Sequence, residues 1–124
     1  MAAPNIVNVT SIYGQSNTVP SITNSGSDII LTCATDKVLK VNSLIIANID
    51  GTNNCDVDAW FDKGGAGAQT GYFAHTISVP ADSTLVVISK DTAVYMEETD
   101  EIHLLASAAG DLSAIISWEE LDDA

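Results

Sequence analysis

A chain of 124 residues is the size of one domain built around one core. With 17 acids against 4 bases it carries a formal charge of −13, which speaks against nucleic acid, whose phosphates need clustered Lys and Arg, and against an anionic membrane surface. No apolar run approaches the roughly 20 residues of a membrane-spanning helix. The opening MAAPNIVNVT has neither the basic region nor the apolar segment of a signal peptide, so a product held in a cytoplasm until lysis is expected.

In chain order, Pro4 lies in a short N-terminal arm. Residues 5–13 then alternate, Ile6, Asn8, Thr10 and Ile12 against Val7, Val9, Ser11 and Tyr13, which predicts a weakly one-sided edge strand. Residues 14–27 are rich in Ser, Asn, Thr and Gly and read as a loop. A strand is expected over 28–35, with Ile29, Leu31 and Cys33 on one face. Residues 37–63 read as the organising hairpin. In its first strand Leu39, Val41, Ser43, Ile45, Ala47 and Ile49 share a face. In its second, Val57, Ala59 and Phe61 alternate with Asp56, Asp58, Trp60 and Asp62, and the run from Asp50 to Asn54 supplies turn chemistry.

After Lys63 the run GGAGAQTG predicts an exposed, mobile loop; phosphate binding would need a following helix, and a strand over 72–79 follows instead. Pro80 to Ser83 turn into an apolar strand, 84–90, then a short extended piece or single turn over 91–96. Glu97 to Glu101 form a solvated acidic connection. Strands over 102–107 and 112–119 flank a turn at Ala109–Gly110–Asp111, and the acidic tail is expected to fray. About eight short strands with regular turn signals predict a single all-β domain over 1–124, an antiparallel β-sandwich of jelly-roll or immunoglobulin-like order. The expected core is Leu39, Val41, Ile45, Val57, Phe61, Ile77, Leu85, Val87, Leu104 and Ile116.

Few side chains suggest chemistry. Asp50, Asp56, Asp58 and Asp62, with Asn53 and Asn54, are the right donors for calcium, but their spacing matches no known calcium loop, and a solvated strand face is the favoured reading. Paired carboxylates for glycoside hydrolysis would need an aromatic cleft, and Phe61 and Phe73 fall on core faces. His75 shares a face with Phe73 and Ile77 and is expected inside; His103 is expected outside or at an interface. Neither has a nucleophile in a recognisable setting, so no enzyme and no cofactor are expected. Cys33 and Cys55 sit in apolar strands and are expected as buried free thiols. Trp60, on the polar face, is an interface anchor, a lid packed under loop 64–71, or a sugar-stacking ring. Ile6, Val7, Val9, Ile12 and Tyr13 of the edge strand are candidate contacts to a neighbouring copy.

Three stretches, MAAPNIVNVTSIYG, KVLKVNSLIIANIDGTNNCDVDAWF and VPADSTLVVISKDTAVYMEETDEIHLLASAAGDLSAIISWEEL, resemble the small virion structural proteins of marine tailed phages, cyanophages especially. The resemblance spans nearly the whole chain and is weakest over 14–27 and 63–71. It implies a β-sandwich module repeated on a virion and assembled in a bacterial cytoplasm. It supplies no catalytic residues. The role expected from it is capsid decoration or cement, as a homotrimer on the major capsid protein; a tail, neck or fibre component and a carbohydrate-binding adhesion module are the alternatives.

Overall fold

The computed structural model describes residues 9–67 and 70–122. Nine strands form two antiparallel sheets: β1 (Ser11–Val19), β2 (Asp28–Thr32), β3 (Lys37–Asn48), β4 (Cys55–Asp62), β5 (Thr70–Val79), β6 (Thr84–Ile88), β7 (Val94–Met96), β8 (Glu101–Ala106) and β9 (Leu112–Asp122). One sheet runs β1-β9-β3-β6, with β7 continuing the β6 edge against β3; the other runs β2-β8-β4-β5. Four pairings, β1 with β9, β2 with β8, β3 with β6 and β7, and β4 with β5, describe one long antiparallel hairpin wrapped into two sheets. That order is a jelly roll, which decides between the two expected topologies. Ser89 caps a single 3-10 turn, Lys90–Thr92, between β6 and β7. No helix among the described residues is long and apolar enough to cross a membrane.

The core lies between the sheets. Leu39, Val41, Leu44 and Ile46 of β3 and Ala114, Ile116 and Trp118 of β9 meet Val57 and Ala59 of β4 and Ile102, Leu104 and Ala106 of β8. The expected hairpin over 37–63 is corrected: β3 and β4 belong to opposite sheets. Their connection crosses the sandwich, held by buried Asn48, whose amide donates to the carbonyls of Asn53 (2.9 Å) and Val79 (2.8 Å) and whose oxygen accepts from Asp50 N (2.9 Å). The turn chemistry was legible; which sheet the chain enters afterwards is a long-range matter.

A register shift between Val41 and Ser43 against β9 inserts one residue and changes the inward phase of β3. Leu39 and Val41 face the core before it, Leu44, Ile46 and Asn48 after it. Ile45 therefore moves off the core and is only half-buried. Ile77 is exposed, because β5 bulges near Thr76, which stands at φ 52°. The same bulge puts His75 outside, against expectation. Phe61, Leu85 and Val87 are half-buried at the core margin. The first strand is corrected too: β1, Ser11–Val19, shares only residues 11–13 with the strand expected over 5–13 and runs on through 14–19 of the expected loop, and β9 continues to Asp122 through residues expected to fray.

Candidate functional site

The outer face of the β2-β8-β4-β5 sheet carries an aromatic row. Trp60 of β4 is the cross-strand neighbour of His103 on β8 and of Tyr72 on β5. Its ring stacks on the His103 imidazole, centroids 5.2 Å apart and planes 13° from parallel, and meets Tyr72 at 5.7 Å in a tilted pair. Tyr72 in turn meets His75 edge to face at 4.8 Å. Directly opposed positions on one sheet face bring such rings together. Trp60 is thus half-buried by its strand neighbours, while Tyr72 stays half-exposed.

Two residues along the same face, Asp62 of β4 and Glu101 of β8 are direct cross-strand partners. Both carboxylates converge on His103 Nε2, Glu101 Oε1 at 2.9 Å and Asp62 Oδ2 at 3.8 Å. His103 Nδ1 lies 2.8 Å from Ser27 Oγ. Asp62 is buried and also accepts from Gly67 N at 3.0 and 2.9 Å. Behind it, buried Asp100 accepts from Lys63 Nζ (3.0 Å), Gly64 N (2.9 Å) and Glu97 N (2.9 Å). The glycine-rich turn is therefore exposed, yet stitched down by two carboxylates. Lys63 also donates to Glu97 at 2.7 Å; the bonds to Glu97 and then Asp100 hold its ammonium above the usual lysine range.

The calcium candidates are not brought together. Asp50 folds back on its own turn, accepting from Thr52 N (2.7 Å), Asn53 N (3.3 Å) and the Asn53 amide (3.1 Å), and the Asn53 amide bond leads in pushing its carboxyl below the usual range. Asp58 accepts from Thr76 N across the β5 bulge. Asp56 and Asp62 stand at opposite ends of β4, roughly 20 Å apart at strand rise. Only Asp62 joins a cluster, with Glu101 and His103. Sequence reading missed that cluster, although the alternation Glu101-Ile102-His103 in β8 places the acid and the imidazole on one face.

The other candidate surface is the edge strand β1. Ile6 and Val7 lie outside the described residues; Val9 precedes β1 and is half-buried; Ile12 and Tyr13 are exposed at its start. β1 pairs with β9 through nine residues without a register shift, from Ser11 opposite Asp122 to Val19 opposite Ala114, and its other edge pairs with no strand among the described residues. It carries no charged side chain, and seven of its nine residues are exposed. Beneath it, the buried Trp118 Nε1, on the residue opposite Gln15, has no acceptor among the described residues.

No family model matches the sequence, and no curated protein matches it. Solved structures do share the fold. A chain from Bacillus endospore appendages, described as a family of disulfide-linked pili, superposes with a TM-score of 0.54 at 15% identity, covering 92% of this chain and 90% of that one. A chain of the infectious bursal disease virus Gx strain superposes with a TM-score of 0.51 at 10% identity, covering 93% of this chain and 34% of that one. This chain thus spans about a third of the viral chain it matches. At such identities the likeness establishes the sandwich fold.

Proposed function

We infer that the chain is a non-enzymatic structural subunit that assembles in many copies on the surface of a phage particle, as a head decoration or cement protein. The observation that carries this reading is β1. Sheet proteins protect long edges with charges, prolines, bulges or cover. Here the β2-β8, β3-β6, β3-β9 and β4-β5 pairings all contain a register shift, whereas β1 is unshifted, uncharged and, among the described residues, unpaired on one side. An edge of that kind accepts another strand. A neighbouring copy supplies it, closing a homotrimer seated on the major capsid protein. The resemblance to marine phage virion proteins supports the particle, and a fold shared with a pilus chain and a virus chain supports repeated assembly.

Cryo-electron microscopy of the virion tests the reading. Copies at threefold or quasi-threefold head positions, joined through β1, are expected; copies confined to tail fractions select a tail, neck or fibre role instead. In solution Ser16→Glu, which puts a charge on the free edge, is expected to leave the monomer folded and abolish the trimer.

One observation favours a second reading. Trp60 and half-exposed Tyr72 form an aromatic row beside the glycine-rich turn, with the Tyr72 ring available to stack on a sugar ring. Glycan binding that is lost in Trp60→Ala and kept in Ser16→Glu would select an adhesion module.

A further inference from the structure

We propose that Asp62, Glu101 and His103 form a binding site for a divalent transition-metal ion of the zinc class. The three donor atoms lie within 4.8 Å of one another. A tetrahedral ion with bonds near 2.1 Å needs donors about 3.4 Å apart, and the two distances from His103 Nε2, 2.9 and 3.8 Å, bracket that value. Hydrogen bonding alone accounts for less of the arrangement. One Nε2–H serves Glu101 and leaves Asp62 beyond hydrogen-bond reach, with two carboxylates directly opposed on neighbouring strands, an unfavourable pairing. A single dication at their meeting point neutralises both.

The surroundings fit an ion. Ser27 Oγ can accept a hydrogen bond from Nδ1–H, in the tautomer whose Nε2 lone pair faces the two carboxylates; a metal-bound imidazole uses its second nitrogen this way. Two Gly67 hydrogen bonds orient Asp62, and Trp60 stacked on the ring holds the plane of His103. All three donors stand on paired strands, so the site is formed by the sheet and not by a loop. One nitrogen and two oxygens suit zinc; calcium wants six to eight oxygens. The fourth position is left to water or to a group from a partner. The bound ion ties the ends of β4 and β8 to the glycine-rich turn and to the segment before β2.

The test uses tag-free, metal-stripped full-length protein titrated with zinc, manganese and calcium chlorides in turn, by calorimetry and by tryptophan emission, to which Trp60 and Trp118 both contribute. One zinc per chain is expected, bound more tightly than manganese and far more tightly than calcium. His103→Gln and Glu101→Gln should each weaken zinc by at least about tenfold, while His75→Gln and Asp58→Asn change nothing. Thermal unfolding in chelator shows whether each variant is folded, and Glu101→Gln alone decides the matter should His103→Gln fail to fold. Absence of saturable zinc binding, or equal binding in the wild type and a folded Glu101→Gln variant, overturns the site and leaves His103 as a hydrogen-bonded ring on an acidic surface. Neither result bears on assembly through β1.

Discussion

Cys33 is 2% exposed and Cys55 1%. Burial, and then the nearby Asp100 charge, push Cys33 from 9.0 to about 11. Both cysteines should resist alkylation in the native protein at pH 8 and label fully once it is unfolded; a mass lacking both labels after unfolding without reductant would refute free thiols. The shift has a pH consequence. The folded state keeps its proton above the pH at which the unfolded thiol loses its own, so stability from this group is complete below about pH 9 and falls as pH rises toward 11. Cys33→Ala should flatten that part of the alkaline decline, read from urea midpoints between pH 8 and 11. Burial of the cysteines was legible from their apolar strands. The neighbours of Trp60 were not: its polar-face position followed from alternation, but stacking on His103 depends on β4 and β8 pairing between residues 43 apart in sequence.

At the scale of elements, local periodicity found strands well wherever one face was buried. It failed at β1, whose residues are exposed on both faces and leave no alternation to read, and at the β3 bulge, where one added residue changes the inward set. The bulge makes a sharp prediction. Leu44→Ala should cost about 2–5 kcal/mol, by lost transfer energy and a cavity, and half-buried Ile45→Ala clearly less; equal costs in denaturant melts would contradict the bulged register. The glycine-rich turn offers a second. Gly65 stands at φ 73°, and a Cβ there would lie 2.4 Å from the Thr99 carbonyl, whereas Gly67 at φ 71° has open space. Gly67→Ala should therefore cost about 1–2 kcal/mol from backbone conformation alone, and Gly65→Ala measurably more. That turn looked mobile in the sequence because glycine content says nothing of the two carboxylates, Asp62 and Asp100, that bind its amides.

For the whole molecule, charge opposes company. At −13 per chain, copies repel one another, and salt screens that repulsion over about 8–10 Å at physiological strength. Assembly through an uncharged edge should strengthen from low to physiological salt, in contrast to a contact built on opposite charges. Sedimentation across a salt series checks this, and weakening with added salt would point to a basic partner surface. The antiparallel sandwich was legible from strand count and turn spacing. The jelly-roll order was not, because it depends on which distant strands pair.

Those distant pairings also set when the fold can exist. β9 lies between β1 and β3 in its sheet, and Thr10 N bonds Asp122 O at 2.9 Å. During synthesis β1 and β3 have no partner strand between them until β9 has been made. Ribosome-bound chains that end before Leu112 hold every strand but one and still lack the strip that joins two halves of a sheet. They should be open to protease, and closure should come late and slowly, since so few of its contacts are local. A chain that closes this sheet only when β9 arrives keeps its β1 edge out of its final shape until then.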